Sequence, residues 1–144
     1  MQEHAGEDLE RLVLRSEISQ LAHVLPWVEA LAARYALPEK TSYVINLCLE
    51  EALSNIVRHG YKGDAGYEII VEFRSGEGKL VFIIEDTAPH FQPTESAMAQ
   101  PTSLEELIPG GMGIPLMRRF ADRVEWEPLP MGNRLTLTFT THRY

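Results

Sequence analysis

With 144 residues and 44% hydrophobic content, the chain has the size of one compact domain and enough apolar side chains to build a core without disulfides or structural metal. Thirteen basic against twenty-one acidic side chains leave a formal charge of −8, which argues against a broad basic surface that neutralises a nucleic-acid backbone. The single cysteine, Cys48, excludes intramolecular disulfides and cysteine-rich zinc sites and fits a reducing compartment.

From Met1 to Glu10 the chain is acidic and has no apolar core, and no run reaches the length of a membrane span. A soluble cytoplasmic protein is expected, with no membrane association and no direct nucleic-acid contact. Arg11 to Ser16 alternates apolar and polar residues as a short strand, with Ser16 placed to cap the helix that follows. Between Glu17 and Tyr35 the residues Ile18, Leu21, Ala22, Leu25, Val28, Leu31 and Ala32 recur at three and four, which predicts an amphipathic helix kinked at Pro26. A second helix begins after Leu37-Pro38 and carries the stripe Ile45, Cys48, Leu49, Ala52, Leu53 and Ile56, with Gly60 as its cap. Tyr67 to Arg74 and Lys79 to Asp86 read as antiparallel strands joined through Ser75-Gly76-Glu77-Gly78.

Periodicity lapses from Thr87 to Pro109, where four prolines interrupt a long loop, and a loop of this length inside a domain is often a functional lid. Gly110-Gly111-Met112-Gly113 opens a third helix over Ile114 to Ala121. Arg123 to Glu127 and Arg134 to Thr140 close the chain as strands around a Pro-Met-Gly-Asn turn. No repeat or linker divides the sequence, so residues 1–144 are expected to form a single domain.

Three separated features carry chemistry. Glu51 and Asn55, four apart, stack on one helix face, and His59 continues the row. Taken alone, this is the pattern of a solvated helix face. Asp86 ends the apolar run Leu80-Val-Phe-Ile-Ile-Glu85, where a carboxylate must be solvated, paired, or accepting a hydrogen bond from a ligand. The glycines Gly110, Gly111 and Gly113 stand where free amides at a helix start suit an anion, so phosphate can be held with few cationic side chains despite the acidic composition.

The order of these features resembles the Bergerat ATP-binding fold: an E-x-x-x-N helix, a hydrophobic strand ending in Asp, a long loop, then G-G-x-G opening a helix. Among proteins of that fold the chain is most similar to the small bacterial anti-sigma factor serine/threonine kinases. The matching stretches are Glu51-Ala-Leu-Ser-Asn55-Ile-Val-Arg-His59-Gly60-Tyr61, Glu85 to Pro93, Gly110 to Asp122, and Met131 to Leu137. The resemblance implies a two-layer α/β sandwich with a mixed, largely antiparallel sheet covered on one face by three helices, and an ATP lid over about residues 87–110. It implies that Glu51 is the general base, that Asn55 holds Mg²⁺ bridging the triphosphate, and that Asp86 accepts a hydrogen bond from the adenine amino group. The implied nucleotide site further includes His59, Ala88, Gly110, Gly111, Met112, Gly113 and Asn133, the last standing where many such proteins place a Thr against the base. The implied partners are a sigma factor and an anti-anti-sigma STAS-domain protein, the latter being phosphorylated, and a homodimer is common among such kinases.

The sequence departs from the family pattern at three positions. Ala88 and His90 replace two glycines of the usual D-x-G-x-G, and Pro109 stands where some members have an Arg able to meet the γ-phosphate. These departures bear more on phosphoryl transfer than on ATP binding. They keep open a second class, a nucleotide-responsive binding module that sequesters a partner with little or no kinase activity.

Overall fold

The computed structural model describes residues 8–90 and 114–141. Strand β1 (Asp8–Arg15) leads through a 3₁₀ segment (Ile18–His23) into helix α1 (Val24–Tyr35), and α2 (Glu39–Asn55) continues as a π-helical turn (Ile56–Gly60). There follow β2 (Glu68–Gly76), β3 (Lys79–Asp86), α3 (Ile114–Phe120), β4 (Arg123–Leu129) and β5 (Gly132–Thr140).

The five strands form one sheet in the order β1-β2-β3-β5-β4. Each of the four pairings is antiparallel, so the sheet expected to be mixed but largely antiparallel has no parallel pair among the described strands. Strand periodicity decides which side chains meet the helices. Leu12 and Leu14 on β1, Ile69, Val71 and Phe73 on β2, Leu80, Phe82 and Ile84 on β3, and Leu135, Leu137 and Phe139 on β5 make the inward rows. Phe73, Phe82 and Phe139 pack across three strands, the first two tilted at a centroid separation of 5.1 Å and the last two edge-on at 6.0 Å, and Trp27 of α1 meets Phe82 edge-on at 6.1 Å. The opposite face carries charge pairs, Arg11 with Glu72 and Arg134 with Glu85 and Glu127.

Helix α2 is the centre of the helical layer. Its whole predicted stripe is buried: Ile45, Cys48, Leu49 and Leu53 are fully enclosed, and Ala52 and Ile56 nearly so. At this site the Cys48 thiol is pushed up to about 12 by burial, with the Glu51 charge adding to the shift, so it is neutral and unreactive at physiological pH.

Several local expectations are corrected. Ser16 caps no helix: it is buried, donates to the Asp64 carbonyl and accepts from the Tyr67 N–H at 3.2 Å, tying the end of β1 to the 64–67 loop. Pro26 does not kink a helix. It lies in the first turn of α1, where a missing N–H is harmless, and the residues before Val24 wind as a 3₁₀ segment with Ile18 exposed. Gly60 does not end α2 in the left-handed region, because the chain passes through the π turn and Tyr61 follows with φ −97°. In the β2–β3 turn positive φ falls on Glu77 (56°) and Gly78 (76°), not on Gly76, as a two-residue hairpin between right-twisted strands requires.

Candidate functional site

The inward row of β3 ends in a polar residue, and so does that of β5. Two steps beyond Ile84 the same alternation turns Asp86 toward the helices, and two steps before Leu135 it does the same for Asn133. The two are direct partners in the β3–β5 ladder and are 5% and 2% exposed, so a carboxylate and an amide are enclosed side by side at one end of an otherwise apolar sheet. Asp86 Oδ1 accepts from Asn133 Nδ2 at 3.0 Å and from the Ala88 N–H at 2.9 Å. Burial raises the Asp86 carboxyl above the ordinary aspartate range, opposed by those two hydrogen bonds and by His90.

Asn133 does more than hold Asp86. Its Nδ2 also reaches the carbonyls of Ala88 at 3.2 Å and Pro89 at 3.4 Å, while its Oδ1 is buried without a hydrogen-bond partner. An unpaired buried acceptor beside a buried carboxylate is the kind of group a ligand N–H satisfies. Gly132 makes this approach possible. Its φ is +121°, and a Cβ there would lie 1.8 Å from the Asp86 carbonyl oxygen, so no side chain can be accommodated where β5 begins.

The turn after Asp86 explains how Ala88 and His90 replace glycines. Among the described residues the only non-glycine positions with positive φ are Ala36, Lys62 and Glu77, so Ala88 and His90 occupy ordinary backbone regions. The Ala88 methyl, 2% exposed, packs against Gly60, where an added Cβ would come within 3.2 Å of it. His90 Nε2 is hydrogen-bonded to the Leu129 carbonyl at the β4–β5 corner. Neither residue therefore needs a glycine's conformational freedom.

Helix α2 brings Glu51 and Asn55 to the edge of the buried layer, each partly exposed, with His59 exposed one turn on. Asn55 Nδ2 is buried and has no hydrogen-bond partner, a second enclosed polar atom awaiting one. A half-turn of that amide would present Oδ1, the hard oxygen that Mg²⁺ prefers. Among the described residues no cluster of three His, Cys, Asp or Glu side chains could hold a metal by itself.

Sequence reasoning missed Tyr61. Its ring is 7% exposed and stacks on Tyr67 at 4.7 Å, and its hydroxyl accepts from the Thr87 N–H at 2.7 Å and bonds Thr87 Oγ1 at 3.0 Å. Behind the turn lies an open cavity of about 600 Å³, bordered by Tyr61, Tyr67, Ala88, His90 and Met131 but not by Glu51, Asn55, Asp86 or Asn133. Gly110, Gly111, Met112 and Gly113, with Pro109 and most of the 87–110 segment, lie outside the described residues.

A family model described as a histidine kinase-like ATPase domain matches residues 14–139. The chain belongs to this family. As an ATPase domain of that class it uses ATP. Among curated relatives it is 32% identical over 116 residues to the serine/threonine-protein kinase BtrW of Bordetella bronchiseptica, covering 79% of this chain and 81% of that protein. It is 33% identical over 88 residues to the serine-protein kinase RsbW of Bacillus pumilus, covering 56% of this chain and 54% of the relative. An anti-sigma F factor of a Thermoanaerobacter species is 36% identical over 89 residues, covering 60% of each. The ATPase domain thus spans most of the Bordetella protein and little more than half of the other two. In the crystal structure of the RsbU and RsbW domains of a Mycobacterium tuberculosis protein the same fold recurs, with a TM-score of 0.64 at 16% identity, over 92% of this chain and 32% of that one.

Proposed function

We propose that this ATPase domain is an ATP-dependent protein serine/threonine kinase and anti-sigma factor that phosphorylates a small anti-anti-sigma antagonist of the STAS type and sequesters a sigma factor when the antagonist is absent. The observation that carries the nucleotide part is the buried Asp86–Asn133 pair, whose free acceptor Asn133 Oδ1 stands beside the carboxylate at the end of an apolar sheet. Adenine presents an exocyclic N–H₂ to such acceptors. The kinase part draws support from the relatives named as serine or serine/threonine protein kinases, and the sigma-binding part from those named as anti-sigma F factors.

In this reading α2 serves the phosphates and β3–β5 the base. Asn55 would hold Mg²⁺, which supplies charge neutralisation along the triphosphate. The Glu51 carboxylate, partly exposed on α2, would take the proton of a serine hydroxyl as that oxygen attacks the γ-phosphorus. The bond from the γ-phosphorus to the β,γ-bridging oxygen breaks, and ADP leaves. Phosphate on the antagonist adds about −1.5 to −2 charges to its interface, which favours its release from a chain whose formal net charge is −8. Residues 87–110 act as the lid, and Gly110, Gly111, Met112 and Gly113 serve the phosphates together with His59 from α2.

The test is label transfer from γ-labelled ATP, with Mg²⁺, to a cognate antagonist of the STAS type. Transfer is expected in the wild type and a loss of about 100-fold or more in Glu51→Ala, the range for removing a general base. ADP binding should be retained in that variant. Transfer that is absent from the wild type, or unchanged in Glu51→Ala, overturns the kinase assignment.

A further inference from the structure

We infer that Tyr61 is a positioning residue for base recognition, a strut that holds the Asp86–His90 turn in its binding shape from the end of the helix that bears Asn55. The inference rests on the proposed nucleotide site and adds a residue that lies outside it.

The geometry singles out this side chain. Tyr61 follows the π turn directly, and its N–H closes that turn on the Ile56 carbonyl at 2.9 Å, so its backbone is fixed to the helix. The ring is held from the side by Tyr67, nearly parallel at 12°. Its hydroxyl then meets the Thr87 N–H, the one backbone donor between Asp86 and Ala88. The neighbouring parts of the turn are fastened by other means: Ala88 by its N–H on Asp86 and its methyl on Gly60, His90 by the Leu129 carbonyl. Thr87 and Tyr61 both border the 600 Å³ cavity. Without the hydroxyl, the Thr87 N–H and Oγ1 lose the partner these bonds give them, and the turn is left with the Gly132 backbone against the Thr87 Cα.

A consequence for binding follows. Asp86 can offer a fixed acceptor to a base only while the peptide that follows it is fixed, since the Ala88 N–H and the Asn133 amide both set the carboxylate's rotation. Tyr61 therefore ties the base end of the site to the helix that serves the phosphates. Tyr61→Phe keeps the ring and the stack and deletes both hydrogen bonds of the strut to Thr87.

The experiment is calorimetric binding of ADP, ATP and adenosine, with Mg²⁺ for the nucleotides, to the full chain and to Tyr61→Phe. A drop of about tenfold in affinity is expected, the order of effect for losing the part-buried hydrogen bonds that the hydroxyl makes to Thr87. The drop should be the same for all three ligands, because the turn reads the base and not the phosphates. It should vanish in an Asp86→Asn background, where the carboxylate it positions is gone. In the transfer assay KM for ATP rises while kcat stays within about twofold, as expected for loss of binding common to ground and transition states. A purely structural role would lower the thermal midpoint without nucleotide and leave affinity and KM unmoved, and that result overturns the inference. Absence of any ADP binding by the wild type instead overturns the nucleotide site on which it rests. Should Tyr61→Phe not fold, hydrogen exchange on the wild type decides: a Thr87 amide protected in the absence of nucleotide supports the strut, and exchange at the rate of an open loop refutes it.

Discussion

Asp86 is a group whose enclosure works against the fold that encloses it. Its folded-state carboxyl is raised above the ordinary aspartate value, chiefly by burial, so the folded protein binds a proton there more tightly than the unfolded chain does. That contribution to stability is fully present below the unfolded value and is lost as pH rises through the folded one; at neutral pH the charged form is a burden. Asp86→Asn keeps an acceptor for Asn133 and for the Ala88 N–H and removes the charge. The variant is therefore expected to be more stable than wild type toward urea at pH 7 in the absence of nucleotide, with the advantage shrinking as pH falls toward 4. Its affinity for ADP should fall at the same time. Equal urea midpoints at both pH values would contradict the account. The pairing of a stability gain with a binding loss is the mark of a residue kept for a ligand.

The Gly60–Ala88 contact joins the end of the α2 helical run to the turn after β3, and it makes a prediction about the two elements together. Gly60→Ala alone crowds the Ala88 methyl at 3.2 Å and is expected to destabilise by about 1 kcal/mol, within the range for small overpacking. Adding Ala88→Gly should recover part of that loss, so a double-mutant cycle read by denaturant midpoints gives a non-zero coupling; strict additivity would show that the two do not meet. Much at this level was legible in the sequence. The stripe on α2, the two hairpin strands and the third helix follow from periods of 3.6 and 2, and the end of β3 at Asp86 follows from its apolar run. The inward direction of Asp86 was also implicit in that alternation, once Ile84 is taken as core. What was not legible depended on distant segments. Ser16 looks like a helix cap because Ser commonly is one, yet it is claimed by the 64–67 loop; Tyr61 looks like the residue after a helix cap, and only the fold brings Thr87 to it. Glycine was misjudged in both directions: Gly60 is needed for space rather than for dihedral freedom, whereas Gly132, passed over as a turn residue, is the position where a side chain would strike the backbone.

The whole molecule divides its labour between one covered and one open face of the sheet. The covered face holds the core and ends in the proposed site, so nucleotide bound there would stabilise everything that packs around it. The thermal midpoint should rise with the logarithm of ADP concentration, reaching about 2.7 kcal/mol of stabilisation at a hundredfold excess over Kd, and the rise should be reduced in Asp86→Asn. A midpoint indifferent to ADP would remove the site. The open face is kept polar by ladders such as Arg11–Glu72–Arg74 and Glu85–Arg134–Glu127, with Leu9 and Val13 left exposed on the outer strand. The edges are β1 and β4, and β4 carries Pro128 along with Arg123, Glu125 and Glu127, devices that discourage pairing with a foreign strand.

Asp86 and Asn133 are ladder partners 47 positions apart in the chain, and this separation sets when the site comes into being. The β2–β3 hairpin can close locally, but the β3–β5 pairing must wait until β5 has been synthesised and has found its place beside β3. A nascent or C-terminally truncated chain would carry an Asp86 with neither its amide partner nor the Gly132 backbone pressed against it. Competence to bind nucleotide at the proposed site would thus arrive only once β5 has paired with β3.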